Sequence, residues 1–105
     1  MIKAIIIEDE PLSVVRLERL LKQIASDIEI IEKLKSVKDA VAWLSAYEVD
    51  LIFLDIHLSD GDAFNIFDQI EVKIPIIFVT AYDQFALQAF QQNSIDYILK
   101  PIDKK

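Results

Sequence analysis

The sequence of 105 residues has no cysteine, one glycine, three prolines, one histidine and an excess of acid over base. The lack of cysteine excludes a disulfide framework and any thiolate metal site, so the fold must rest on an apolar core, and an intracellular compartment is expected. The single glycine, Gly61, goes with the absence of linkers, low-complexity tracts and internal repeats. Eleven basic against eighteen acidic residues leave a net charge of -7, a field that repels phosphate-rich polymers. The chain alone is therefore not expected to bind nucleic acid. An acidic surface is compatible with cation binding, although such a surface commonly serves only solubility. No apolar run approaches the roughly 20 residues of a membrane span, and the N-terminus has neither the basic segment nor the small-residue cleavage site of a signal peptide. No membrane partner is expected, and the location is read as cytoplasmic.

What is present is apolar residue in quantity, 53% of the chain, ample for one core in one domain spanning residues 1–105. The runs at 4–7, 51–54 and 76–79 are short, branched and uninterrupted, as parallel strands buried on both faces read. They belong in the middle of a sheet. Runs at 28–33 and 95–99 carry Glu29, Glu32 and Asp96 within them and suit the edges. Between the runs lie four stretches of helical period. Pro11 opens the first, whose stripe is Val14, Leu17, Leu21 and Ile24. Ser36 caps the second, with Asp39 three residues on and Val37, Ala40, Val41 and Leu44 on one face. Ala63, Ile66, Phe67 and Ile70 mark the third, and Ala86, Ala89 and Phe90 mark the fourth, over 84–92. Five strands alternating with four helices require, through right-handed crossovers, a doubly wound α/β fold with helices on both faces of a parallel sheet.

In such sheets the ligand crevice lies beyond the carboxyl ends of the strands, where strand order reverses. The first polar groups past the apolar runs are Glu8, Asp9 and Glu10, then Asp55, Thr80 and Lys100. If the first and third strands are neighbours, Glu8, Asp9 and Asp55 converge and repel unless a cation intervenes. All-oxygen donors completed by water and phosphate describe a magnesium site better than a calcium cage. Lys100 and Thr80 add a positive charge and a hydroxyl donor, as a transferring phosphoryl group requires. Asp55, buried at a strand end, is the candidate nucleophile for an acyl phosphate. Taken singly these residues have plainer readings: Lys100 as a surface lysine before Pro101, Tyr97 as strand packing, an acidic cluster as a solvated loop. Their combination on matching strand ends favours a site. His57 reads as a pocket-rim residue, and Trp43, Phe64 and Phe67 as packing.

The segments IIIEDEP at 5–11, LIFLDIHLSDG at 51–61, FVTAYD at 78–83 and DYILKP at 96–101 together resemble the receiver domain of bacterial two-component response regulators, in order and over almost the whole chain. That resemblance implies a flavodoxin-like sheet of strand order 2-1-3-4-5. It implies that Asp55 is the phosphoacceptor, and that Asp9 holds magnesium directly and Glu8 through water. The His57 backbone carbonyl would complete the metal shell. Thr80 and Lys100 would contact the phosphoryl group, with a cis peptide before Pro101, while Thr80 and Tyr97 would form the switch. The side chains of His57 and Tyr82 would tune hydrolysis. A sensor histidine kinase is the implied donor. The face made by the fourth helix and fifth strand is a candidate homodimer surface. TAYDQFALQAF followed by NSIDYILKPI resembles the subgroup that precedes LytTR-type DNA-binding domains, so DNA would be reached only through a C-terminal domain absent here.

Several departures from the family pattern qualify this reading. Ser59 stands where proline is usual and Gly61 comes early, which implies a shorter loop after Asp55. The acidic pair is Glu8 and Asp9 where two aspartates are commoner; glutamate keeps the charge and reaches further. The chain ends at Lys105, where receivers begin a fifth helix, so the expectation is a C-terminally truncated receiver, with exposed apolar surface leading to self-association or lowered stability. Two other functions compete: a pseudo-receiver acting as a phosphorylation-independent interaction or dimerisation module, and a true phosphatase. The latter generally carries a second aspartate two residues past the nucleophile, where this chain has His57. Only self-phosphorylation and self-dephosphorylation are expected, not turnover of a substrate.

Overall fold

The computed structural model describes residues 1–82, 84, 88 and 94–100. The helix expected over 84–92, the surface it would form with the last strand, and the peptide before Pro101 fall largely outside the described residues.

The three uninterrupted apolar runs form β1 (Ile2–Ile7), β3 (Leu51–Leu54) and β6 (Ile76–Thr80). They are flanked by β2 (Ile28–Leu34) and β7 (Ser94–Leu99) in one parallel sheet of order β2-β1-β3-β6-β7. The short strands β4 (His57–Leu58) and β5 (Gly61–Asp62) pair only with each other. With that hairpin set aside, the sheet has the expected 2-1-3-4-5 order.

Successive strand residues point to opposite faces, and both faces are covered, which is why the central runs contain no polar position. Ile5, Ile7, Ile52, Leu54, Ile76 and Phe78 join one core, with Val37, Ala40, Phe64 and Ile66 from the helices α2 (Val37–Ala46) and α3 (Phe64–Gln69). Ala4, Ile6, Leu51, Phe53 and Val79 join the other, with Leu17 and Leu21 of α1 (Pro11–Ile24). The edge strand β2 alternates half-buried and exposed residues, and β7 leaves Ile95, Asp96 and Leu99 exposed.

Helix starts follow the sequence signals. Pro11 occupies the first position of α1, and the Ser36 side chain accepts the Asp39 N–H at 3.0 Å to cap α2. The apolar stripe of α1 ends sooner than its periodicity suggests, because Ile24, the last helical residue, is 65% exposed. Trp43 and Phe67 pack against the α2/α3 core. After Asp55 the chain forms the β4–β5 hairpin rather than a plain short loop, with His57 opposite Asp62 and Leu58 opposite Gly61.

Candidate functional site

β1 and β3 run side by side, Ile7 pairing with Leu54, so the residues that follow them emerge together. The Asp55 N–H donates to the Ile7 carbonyl at 3.0 Å and the Glu8 N–H to the Leu34 carbonyl at 2.8 Å. These main-chain bonds place two carboxylates, 6% and 7% exposed, at one corner. Buried like charges need a counter-charge, and Lys100 supplies it from the end of β7. Its backbone N–H donates to the Thr80 carbonyl at 2.7 Å. Its ammonium Nζ lies 2.7 Å from Glu8 Oε1, 3.0 Å from Asp55 Oδ2 and 3.2 Å from Ser13 Oγ, so all three of its donors have acceptors.

One ammonium between two carboxylates leaves one negative charge uncompensated. Burial, and after it the Asp55 charge, push Glu8 from 4.5 up to about 7 against the pull of Lys100. Burial acts to lower Lys100, but its hydrogen bonds to Glu8 and Asp55 outweigh this and hold it above the ordinary lysine value. Both shifts describe a corner short of positive charge. A cavity of about 260 Å³ adjoins it, where Glu8, Ser13, Asp55 and Lys100 meet a mainly apolar lining that includes Leu17 and Phe53.

The other expected residues form a second group around Tyr82. Thr80, fully buried, accepts the Tyr82 N–H on Oγ1 at 3.4 Å. The Tyr97 hydroxyl donates to the Tyr82 carbonyl, and the Tyr97 ring stacks on Phe78 with centroids 5.8 Å apart. The His57 and Tyr82 rings meet edge to face at 4.3 Å. Asp9 is exposed just beyond the corner.

The donors present fit a hard divalent cation: Glu8, Asp9 and Asp55 offer only oxygen, and the uncompensated charge is what such an ion neutralises. Among the described residues no three acidic or histidine side chains already form a metal-holding cluster.

Two residues outside the sequence expectations belong to the setting. Ser13 accepts from Lys100 and donates to Glu10 Oε1 at 2.5 Å; its position three residues past Glu10 in a first helical turn was a usable signal. Asp60, directly before the only glycine, binds the start of α2. Its sequence context marks a turn and nothing more.

Residues 4–105 match the family model described as the response regulator receiver domain. The chain is 42% identical to the sensory transduction protein LytT of Bacillus anthracis over 108 residues, covering 100% of this chain and 44% of that protein. It is 43% identical to the transcriptional regulatory protein LytR of Staphylococcus aureus strain N315 over 106 residues, covering 98% and 43% respectively. The chain thus spans less than half the length of these curated relatives. Among solved structures, the response regulatory domain of protein mrkE from Klebsiella pneumoniae superposes with a TM-score of 0.85 at 34% identity, covering 97% of this chain and 85% of that one. The Mn(2+)-bound form of response regulator Rcp1 shares the fold, with a TM-score of 0.79 at 20% identity, covering 98% and 84%.

Proposed function

This chain belongs to the response regulator receiver domain family, and on that premise we propose that it is a phosphoacceptor switch in which Asp55 takes a phosphoryl group from the phosphohistidine of a sensor histidine kinase. The observation that carries this reading is the Lys100 ammonium held between Asp55 and Glu8 at the carboxyl ends of the sheet. An Asp55 carboxylate oxygen attacks phosphorus and a P–O bond forms. The P–N bond breaks, its electron pair leaving on the donor imidazole, which takes up a proton. The product is an acyl phosphate. Such a transfer needs mainly positioning and charge neutralisation. Lys100 supplies charge to the phosphoryl oxygens, the Thr80 hydroxyl donates to one of them, and the Ile56 N–H, 2.7 Å from Asp55 Oδ1, orients the acceptor.

Glu8, Asp9 and Asp55, with the His57 backbone carbonyl, are the groups that would hold magnesium, Asp9 directly and Glu8 through water. The ion supplies the positive charge that the corner lacks. Thr80 and Tyr97 form the switch: both are bonded to Tyr82, so recruiting the Thr80 hydroxyl to a phosphoryl group disturbs the anchor of the Tyr97 hydroxyl. The His57 and Tyr82 side chains flank the acceptor and tune hydrolysis. In the whole protein the output is a DNA-binding domain of the LytTR type, located in the cytoplasm, with homodimerisation through the fourth-helix and fifth-strand face. No helix among the described residues is long and apolar enough to cross a membrane.

Phosphoramidate, which presents the same P–N bond as phosphohistidine, tests the chemistry. With magnesium it should give a hydroxylamine-sensitive acyl phosphate on the wild-type chain and none on Asp55→Asn. A wild-type chain that stays unmodified would leave the phosphorylation-independent interaction module as the better reading.

A further inference from the structure

The turn between β4 and β5 is bonded to more than its own hairpin. Asp60, exposed at that turn, has both carboxylate oxygens occupied: Oδ1 accepts the Val37 N–H at 2.6 Å and Oδ2 the Lys38 N–H at 3.0 Å. The adjacent Ser59 Oγ donates to the Lys35 carbonyl at 3.3 Å. Val37 and Lys38 open α2, where helix geometry leaves N–H groups without intrahelical partners. Their bonds to Asp60 hold its carboxyl below the ordinary aspartate value. The local cap Ser36 takes a different donor, the Asp39 N–H, so the first two N–H groups of α2 are bonded to a residue more than 20 positions away, on the hairpin that also carries Ile56.

The other end of the same hairpin holds the acceptor. The Ile56 N–H donates to Asp55 Oδ1 at 2.7 Å, and the Ile56 carbonyl accepts the Ala63 N–H at 2.7 Å. The start of α2 follows β2, whose final carbonyl, Leu34, accepts the Glu8 N–H. Asp55 and Glu8 are therefore joined by two routes, one directly through the paired strands and one around through the hairpin, Asp60, α2 and Leu34.

We propose that Asp60 is a positioning residue for the phosphoacceptor: by bridging the hairpin turn to the first turn of α2, it holds the Ile56 peptide and the His57 carbonyl in place against Asp55 and Glu8. The positional claim stands on the contacts alone; its consequence for cation binding and phosphorylation rests on the function proposed above.

Three variants separate this role from simple helix capping. Asp60→Ala cuts the bridge, Asp60→Asn keeps one acceptor, and Ser36→Ala removes a cap from the same helix while leaving the bridge intact. In metal-free protein, amide exchange at Ile56 should quicken about tenfold in Asp60→Ala, as loss of hydrogen bonds to a charged group implies. It should quicken less in Asp60→Asn and stay unchanged in Ser36→Ala. Magnesium affinity, by calorimetry, should weaken about tenfold in Asp60→Ala, the lower end of what loss of a supporting group costs a metal site. It should hold in Ser36→Ala. Unchanged Ile56 exchange in Asp60→Ala, equal acceleration in Ser36→Ala, or a magnesium affinity equal to that of a magnesium-binding wild type would each overturn the proposal. If the exchange pattern holds and the wild type neither binds magnesium nor accepts phosphate, the positioning role stands and the functional reading fails.

Discussion

Lys100 Nζ stands 3.0 Å from Asp55 Oδ2, an ion pair made by residues 45 apart in sequence that follow β7 and β3, two strands of one parallel sheet with β6 between them. The same nitrogen lies 2.7 Å from Glu8 Oε1. Removing it strands two buried carboxylates, so Lys100→Ala should lower stability by about 2 kcal/mol at pH 8 and by less at pH 5, where Glu8 can take a proton instead. Urea unfolding at the two pH values measures this. Equal stability of variant and wild type at pH 8 would mean that the bridge is not formed in solution.

The Glu8 carboxyl gives the corner a pH signature. Its folded value of about 7 lies above the ordinary 4.5, so the folded chain binds this proton more tightly than the unfolded one. The stabilising contribution is complete below pH 4.5 and is lost as pH rises through 7. In chelator-treated buffer, wild-type stability should fall across that window by up to about 3 kcal/mol relative to Glu8→Gln. Parallel pH profiles for the two proteins would contradict the assignment.

Tyr97 makes two separable contacts, a hydroxyl bond to the Tyr82 carbonyl and a ring stacked on Phe78. Tyr97→Phe should cost about 1 kcal/mol, the worth of one hydrogen bond. Tyr97→Ala should cost roughly 2–3 kcal/mol through lost packing. Thermal unfolding of both variants decides this, and equal losses would deny the hydroxyl its separate role.

At Gly61 the backbone has φ +154°, and an added Cβ would fall 2.6 Å from Asn65 Oδ1. That oxygen accepts the Asp62 N–H at 2.9 Å, so it cannot move without breaking a bond. Gly61→Ala should therefore destabilise the chain by about 2 kcal/mol. A neutral substitution, by urea unfolding, would mean that the turn relaxes freely.

Much of this was readable from residue order. The runs at 4–7, 51–54 and 76–79 had no polar position because helices cover both faces, and β2 and β7 showed their edge status through Glu29 and Asp96. Glu8, Asp55 and Lys100 were legible because the first polar residue after a buried parallel strand must emerge at its carboxyl end. Their sharing of one ammonium was not, since it depends on how far Lys100 reaches across the sheet. The Asp60 bridge was also hidden: the sequence marks Asp60 and Gly61 as a turn, but nothing local says that the turn lies against α2. Asp9 shows the same limit. Its place beside Glu8 is plain from sequence, whereas its exposure depends on the path of the chain.

The central claim, that Asp55 accepts a phosphoryl group, is tested most directly by intact mass after incubation with acetyl phosphate and magnesium. The wild-type chain should gain the mass of one phosphoryl group and lose it on standing, while Asp55→Asn should gain none. A wild-type chain of unchanged mass, or an equal gain in Asp55→Asn, would contradict the account.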